Sequence, residues 1–537
     1  MSSRSSGQQI ATFTQSKPLV LVALLLAAFV INLDTTIVNV ALPTLTRELG
    51  ATNSQLQWVV DAYNLVFAAL LLTSGSLSDR YGRKGFLMTG LVVFGSASII
   101  GGFASSSGEL IAARAVMGLG AAMTFPATLS LLTNVFTSRK ERAITIGLWG
   151  ATAGMAIALG PIVGGFLLEH FAWSSIFYSL GPVAALVVAL TGLFVPRSKD
   201  PAAHRLDLPG LVLSAGFMGL LVYTIIEAPT RGWTSTWSVF GFAVSAVLFT
   251  AFVLLERAIL APMLDIRLFR NLRFSAASGS VTISFFTLFG FIYLMTQFFQ
   301  FVRTYSPLST GVHLLPVATA VAVGSVLGTR LAVRVGTKIV VTLGLLFQTI
   351  FYFWVASNLS TTLGYSIIAM QMVLYGLGMG LTSAPATESI MGAVSANQAG
   401  VGSAVNDSTR LLGGTLGVAV IGSVFASLYG SRLSTTLPSV LPRPVANTAH
   451  QSLGAAYSVA SHLATQGHVA VGNAVHLAAT NAFLHGMSVG CVVAGAVAAA
   501  GALFAVAFLP AQPPSQQSTP LERPTRYSTE PELVESH

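Results

Sequence analysis

The sequence predicts an all-α integral membrane protein made of two six-helix bundles and a two-helix insert. Three observations support this fold class: a very apolar composition, long apolar runs with short polar connections, and an internal repeat. Hydrophobic residues make up 53% of the 537 positions and charged residues only 8%, whereas soluble domains carry about 25% charged residues. Such a chain needs lipid around it, and we expect it to cross a membrane many times.

A helix needs about 20 apolar residues to span a bilayer, and fourteen runs qualify. The first run follows Lys17 and is too long for a cleaved signal peptide. We therefore interpret it as a retained span. The fourteen predicted spans are 19–42, 56–77, 85–103, 110–133, 143–168, 174–195, 207–227, 237–256, 272–298, 310–332, 338–357, 363–386, 399–429 and 484–509.

The positions of lysine and arginine predict how these spans are oriented, because cytoplasmic loops near span ends are enriched in both residues. With the N-terminus inside, 20 of the 27 cations lie on the cytoplasmic side and 5 outside, while Arg114 and Arg410 lie within spans. The sequence therefore predicts a multi-pass protein of the cytoplasmic membrane with both termini in the cytoplasm.

An internal repeat divides the chain into related halves, as is common in transporters. The segment Arg80–Lys84 recurs as Arg334–Lys338, and Gly118-Leu-Gly120 recurs as Gly376-Leu-Gly378. Both offsets are close to 255 residues, which leaves spans 7 and 8 as an insert. The predicted organisation is a cytoplasmic segment (1–18), a first bundle (19–195), the insert with its linkers (196–271), a second bundle (272–509) that includes a non-helical outer loop (430–482), and a disordered cytoplasmic tail (510–537).

Acidic residues inside spans are the main functional candidates, because an ionisable side chain in hydrocarbon costs at least about 2.5 kcal/mol. Asp34 and Asp61 are expected at the same depth as Arg114, in the outer half of the first bundle. A carboxylate that Arg114 holds in one state and releases in another would change its proton affinity, as proton coupling requires. Two simpler interpretations remain open: a fixed ion pair of Arg114 with Asp34, and a shallow Asp61 that reaches the surface.

Two glycine-containing motifs favour close helix contacts. In span 5, Gly150, Gly154, Ala158, Pro161 and Gly165 form a smooth stripe, which indicates either tight packing or a hinge. Between spans 2 and 3, the turn GSLSDRYGRK combines an acid, three cations and terminal glycines, and fits an ion-paired latch between helices. The latch residues are Gly75, Asp79, Arg80, Gly82, Arg83 and Lys84.

Polar and aromatic residues within spans are candidates for a substrate cavity, although most aromatics should serve in packing or lipid contact. A few could line a site for an apolar, partly cationic ligand. The candidates are Asn39, Tyr63, Trp149, Phe289, Tyr293, Tyr375 and Asp407.

The sequence predicts no cofactor, no metal site and no nucleic-acid partner. Cys491 is the single cysteine, and the histidines of the outer loop lack ligand spacing beside a second ligand type. Basic blocks with interleaved aromatics are also absent. The chain contains neither a phosphate-binding loop nor a set of catalytic nucleophiles on its cytoplasmic segments, which disfavours an enzyme or a sensor.

Several motifs together resemble the major facilitator superfamily, and specifically its fourteen-helix drug-proton antiporters of the EmrB/QacA type. The matching segments are LDTTIVNVALP (33–43), GSLSDRYGRK (75–84), Arg114 with Gly118 and Gly120, GPIVGG (160–165) and AGVGSAVNDSTRLLGGTLG (399–417).

This resemblance implies the major facilitator fold and assigns roles to individual residues. Asp34 is the protonation site with Arg114 as its partner, and Asp61 is a second acid associated with cationic drugs. Asp79, Arg83 and Lys84 stabilise the outward-open state through contacts between the bundles. The antiporter segment comprises Gly154, Gly160, Pro161, Gly164 and Gly165.

We therefore expect a proton-coupled antiporter that exports amphiphilic drugs or antibiotics, tetracycline-like or cationic, by alternating access. Its partners are the drug, protons and the lipid bilayer, and a monomer is favoured. Export of an endogenous lipid or small metabolite is the alternative within transport.

Overall fold

The computed structural model describes residues 17–199, 207–259, 262–394 and 399–511. Within them, fourteen helices are long and apolar enough to cross a membrane, as the sequence predicts. The predicted disordered tail lies outside the described residues apart from Pro510 and Ala511, and so do residues 1–16 of the predicted N-terminal segment.

The first bundle and the insert use nine helices, because the first span is broken near its end. A 3₁₀ turn at Val38–Ala41 separates its long and short parts. The helices are α1 (Lys17–Ile37), α2 (Leu42–Leu49), α3 (Asn53–Tyr81), α4 (Arg83–Gly102), α5 (Ser107–Val135), α6 (Arg139–His170) and α7 (Ser175–Phe194), followed by α8 (Leu208–Arg231) and α9 (Thr236–Ala258) of the insert.

The second bundle repeats this arrangement and adds a helical pair between its last two spans. A π-helical turn at Phe298–Val302 ends its first span. The helices are α10 (Leu272–Gln297), α11 (Pro307–His313), α12 (Leu315–Val335), α13 (Thr337–Asn358), α14 (Tyr365–Gly392), α15 (Ala399–Thr436), α16 (Arg443–Gln451), α17 (Leu453–Thr465) and α18 (Val469–Phe508). We call the side on which α1 begins the near side and the opposite side the far side.

The internal repeat is visible in the packing of corresponding helices. In the first bundle, a methyl group on Gly120 of α5 would lie 2.6 Å from the Phe94 nitrogen of α4. In the second bundle, a methyl group on Gly378 of α14 would lie 2.6 Å from the Gly344 oxygen of α13. Both glycines therefore allow the same close backbone approach between equivalent helices.

The prediction of a non-helical outer loop at 430–482 is wrong. The helix α15 continues to Thr436, α16 and α17 follow, and α18 begins at Val469. Four buried residues, Ala449, Leu453, Ala456 and Ala460, recur at helical spacing along α16 and α17. The loop contains no apolar run long enough to span a membrane, so counting spans overlooks these short amphipathic helices.

Direct hydrogen bonds between the two bundles, among the described residues, lie on the far side. Ser423 of α15 donates to Gln57 of α3 (3.1 Å). Gln300, in the turn after α10, donates to the carbonyl of Val40 (2.8 Å). The helix α17 also contacts both bundles, because Gly454 packs against Thr46 of α2 and the Phe301 ring. The far side is thus closed in this structure.

The paired glycines give a test of the repeat. Gly120→Ala and Gly378→Ala should each lower the free energy of unfolding by about 1–3 kcal/mol, because the new methyl group overlaps neighbouring backbone. Gly150→Ala is the matched control: its methyl group meets no atom within 4 Å, so alanine should stabilise the helix slightly. Thermal unfolding in detergent measures all three, and a stable Gly378→Ala would contradict the proposed equivalence.

Candidate functional site

Arg114 lies at the centre of the first bundle and is fully buried. Its guanidinium Nη1 donates to Asp34 Oδ2 (2.5 Å) and its Nε donates to the Val59 carbonyl (3.0 Å). The same group stacks over the Tyr63 ring, 4.3 Å from its centroid. Tyr63 in turn donates to the Ile31 carbonyl (3.0 Å). One arginine thus joins α1, α3 and α5.

Asp34 is held by this arginine through only one of its oxygens. The carboxyl is fully buried, and Asp34 Oδ1 has no hydrogen-bond partner among the described residues. Removing one member of a buried ion pair costs about 3–5 kcal/mol, because the other charge is left without compensation. The pair therefore stabilises the contact of three helices, and any event that neutralises Asp34 weakens it.

Asp61 lies on a different face of α3 and is also fully buried. It precedes Tyr63 by two residues, so its side chain projects about 200° away from the Arg114 contact. Neither carboxylate oxygen has a hydrogen-bond partner in the described part of the chain. A surface-reaching Asp61, which the sequence left open, is not what this state contains.

The second bundle places a neutral network where the first bundle carries charge. Thr287 of α10 donates to Gln348 Oε1 (2.8 Å) and lies 3.1 Å from the Tyr375 hydroxyl. Gln348 Nε2 donates to Ser284 and Thr382. Sequence reasoning missed Gln348, although a glutamine within the apolar run of span 11 was a readable signal.

The predicted cavity residues occupy several different environments. Trp149 donates to Thr128 (3.0 Å) within the first bundle. Tyr293 approaches the Asn53 carbonyl (3.5 Å) across the bundle interface, and the Phe289 ring packs on Gly414 of α15. Asn39, Tyr63 and Tyr375 are fully buried. The structure therefore does not bring the seven candidates into one pocket in this far-side-closed state.

Asp407 lies on the near half of α15, next to a half-buried arginine. Its carboxylate is 3.8 Å from Arg410, which also donates to Thr387 (3.1 Å) and lies over the Phe285 ring at 5.3 Å. This separation is longer than a hydrogen bond, so both charges remain available to other partners. Sequence reasoning noted Arg410 inside a span without giving it a role.

Within the described residues, the hydrogen bonds of the latch residues go to the first bundle and to Ser198 in the linker that follows it. Asp79 pairs with Arg83 (2.6 Å) and accepts from Ser130 of α5 (3.3 Å). Arg83 also donates to Ser198 (3.1 Å), and Lys84 donates to the Gly192 carbonyl at the end of α7 (2.8 Å). Of the remaining members, Gly75 and Arg80 belong to the end of α3, with Gly75 near Pro126 and Arg80 over Tyr81. Gly82 forms the turn between α3 and α4 and has a positive φ of 111°.

The antiporter segment of α6 packs on the far side against α1 and against α11 of the second bundle. A side chain on Gly160 would overlap Thr36 of α1, one on Gly164 would overlap Ile37, and one on Gly165 would lie 2.5 Å from the Pro307 carbonyl of α11. The Pro161 carbonyl packs against Gly311 of the same short helix. In contrast, Gly154 on the near half of α6 meets no atom within 4 Å. The smooth stripe is therefore packed only at its far end, and α6 continues unbroken through Pro161.

Comparison with known proteins agrees with this arrangement. The sequence matches the Major Facilitator Superfamily over residues 24–418. It is 37% identical over 433 residues to the multidrug resistance protein Stp of Mycobacterium tuberculosis, with 80% of this chain and 79% of Stp covered. It is 33% identical over 481 residues to the methyl viologen resistance protein SmvA of Salmonella typhimurium, with 89% and 95% covered.

A solved structure shows the same fold at low sequence identity. A bacterial homologue of the human lysosomal transporter Spinster, in an inward-facing and unoccupied conformation, superposes with a TM-score of 0.64 at 17% identity. The likeness covers 92% of this chain and 98% of that one. The charged core of one bundle, its neutral counterpart in the other and these similarities lead to one conclusion: this chain belongs to the Major Facilitator Superfamily.

Proposed function

We propose that this protein is a proton-coupled antiporter that exports amphiphilic drugs, cationic ones in particular, across the cytoplasmic membrane. The observation that carries the proposal is the presence of two buried acids on α3 and its neighbour α1, one paired with Arg114 and one without a partner among the described residues. The names of the relatives Stp and SmvA support export of drugs, and methyl viologen is a dication.

The orientation that we propose places the near side in the cytoplasm, as the cation distribution indicates. With the far side closed, the described structure is then inward-facing. The two halves of the chain, 19–195 and 272–509, move against each other, and residues 196–271 connect them. Alternating access requires the far-side contacts to break when the transporter opens outward.

Asp61 couples this movement to protons through the cost of burying charge. An ionised carboxylate without a partner costs several kcal/mol inside a protein. The far side can therefore close under two conditions. Either Asp61 is protonated and the transporter is empty, or Asp61 is ionised and a bound cation balances its charge. A proton taken up outside allows closure, and its release inside leaves an anionic site for the drug.

Asp34 acts in the same cycle through its partner. Protonation of Asp34 removes the attraction that holds Arg114 against α1, and the guanidinium keeps its bond to Val59 and its contact with Tyr63. The contact between α1 and α5 then loosens while α3 and α5 remain joined. This gives the bundle two arrangements whose equilibrium depends on one proton.

The latch and the cavity residues complete the proposal. Asp79, Arg83 and Lys84 lie on the near side and, among the described residues, form hydrogen bonds with the first bundle and with the linker that follows it. In the proposed cycle they contact the second bundle when the near side closes. Trp149 and Asp407 lie on near halves of their helices and face the drug first, whereas Phe289 and Tyr293 lie deeper along the pathway.

Asp34→Asn should abolish drug-driven proton release, because an amide cannot bind or release a proton at this site. The amide oxygen of the variant can still accept a hydrogen bond from Arg114, so its loss of stability should be smaller than that of Asp34→Ala, and thermal unfolding checks that the variant is folded. Proteoliposomes with a pH-sensitive dye measure the release after drug addition. Glu141→Gln is the control, since Glu141 forms a half-exposed pair with Lys17. Coupling that persists in Asp34→Asn would contradict the assigned role.

Asp61→Asn should weaken binding of a dication more than that of a monocation, because the Coulomb energy doubles with ligand charge. If affinity for tetraphenylphosphonium falls about 5-fold, affinity for methyl viologen should fall about 25-fold. Equilibrium binding to the purified protein measures both, with an uncharged drug as the control. Equal losses for the two cations would rule out a direct charge contact at Asp61.

A further inference from the structure

One face of α3 is directed at α15 in the other bundle. Gln57 meets Gly422 and Ser423 of α15, and Leu65 and Ala68 share an apolar cluster with Ala419. These positions follow helical spacing, and Asp61 and Asn64 fall on the same stripe. Asp61 and Asn64 therefore face the seam between the bundles.

The opposing face of α15 carries Thr415. Thr415 precedes Ala419 by four residues and Gly422 by seven, so the three share one stripe. The two helices run in opposite directions, and Gln57 is level with Gly422. Moving seven residues towards the near side on each helix brings Asn64 level with Thr415.

The side-chain polar atoms of Asp61, Asn64 and Thr415 have no hydrogen-bond partners among the described residues. Asp61, Asn64 and Thr415 are fully buried. Both carboxylate oxygens of Asp61, both amide atoms of Asn64 and the hydroxyl of Thr415 lack a hydrogen bond. Leaving a buried polar group unsatisfied costs about 1–3 kcal/mol, so five such atoms in one place indicate a site that is hydrated or occupied in another state.

The surroundings restrict access to this site. The apolar cluster of Leu65, Ala68 and Ala419 with α8 lies alongside it and separates it from lipid. On the far side, the contact of Gln57 with Ser423 covers it. Water therefore reaches the site when the bundles separate at the far side.

We propose that Asn64 and Thr415 are positioning residues for proton transfer at Asp61, an inference that rests on the proposed proton coupling. When the far side opens, the amide and the hydroxyl bind Asp61 directly or through water and stabilise its ionised form. An amide and a hydroxyl each donate and accept, so the same pair also serves the neutral carboxyl. The site thus passes a proton between outside water and Asp61.

Other titratable or charged groups near Asp61 come from each neighbouring helix. The pair of Asp34 and Arg114 lies on another face of α3, and Tyr293 of α10 contacts the Asn53 carbonyl near the far end of α3. Glu227 of α8 accepts from Ser54 at the far end. On α15, Asp407 and Arg410 lie one to two turns nearer the cytoplasm. None of these replaces the missing hydrogen-bond partners in this state.

The pH profile of drug-driven proton exchange in proteoliposomes tests the inference. Asn64→Leu and Thr415→Val remove donors to the carboxylate, so the acid should keep its proton to higher pH. We expect the midpoint of the profile to move up by about one pH unit in each variant. Thr415→Ser retains the hydroxyl and should restore the wild-type midpoint.

Ser423→Ala is the matched control, because it alters the same face of α15 two turns away. It should change the rate of far-side opening without moving the midpoint. In the Asp61→Asn background, Asn64→Leu should not shift the midpoint of the exchange that remains through Asp34, since the acid that Asn64 contacts is gone. Unchanged midpoints in both Asn64→Leu and Thr415→Val would overturn the inference while the proposed function stands.

Thiol accessibility gives a readout that does not depend on coupling. In a Cys491→Ala background, Asn64→Cys should react with an impermeant reagent added from outside only when conditions favour the outward-open state. If the thiol of Asn64→Cys is protected from the reagent in every condition, the inference of a hydrated site is wrong. Wild-type protein that shows no drug-driven proton exchange at all would instead refute the proposed function, and this inference with it.

Discussion

The buried ion pair of Asp34 with Arg114 is the interaction on which the first bundle depends. It places two full charges where neither water nor lipid can stabilise them, so each charge requires the other. Because Arg114 also binds the Val59 carbonyl and the Tyr63 ring, the pair sets the relative position of α1, α3 and α5. Neutralising Asp34 would therefore act on helix packing directly.

The two halves share their packing but differ in their chemistry. Gly120 and Gly378 allow equivalent helices to approach equally closely, yet the second bundle has at its centre a hydrogen-bonded network of neutral side chains, in which Gln348 contacts Thr287, Ser284 and Thr382. A neutral network of this kind is insensitive to pH in the physiological range. The buried pair of Asp34 and Arg114 is thus a feature of the first bundle, whereas the charged residues Asp407 and Arg410 of the second bundle lie towards the near side.

The helix α3 links the pair of Asp34 and Arg114 to the interface with the second bundle. One face carries Tyr63 against Arg114, while another carries Asp61 and Asn64 against α15. The first face is satisfied and the second is not, among the described residues. In the proposed alternating access, the unsatisfied face of α3 gains partners when the bundles separate, while the satisfied face keeps α3 joined to α5.

The sequence by itself determined the fourteen spans and the internal repeat, and it singled out Asp34, Asp61 and Arg114 as candidates, because charge is costly in an apolar chain and stands out against it. It also indicated a pairing of Arg114 with Asp34 through their common depth. The tertiary structure decided which acid is paired, which helix face each one occupies, and where the bundles touch. It also revealed the short helices α16 and α17, of which α17 packs on both bundles through Gly454, against Thr46 and Phe301.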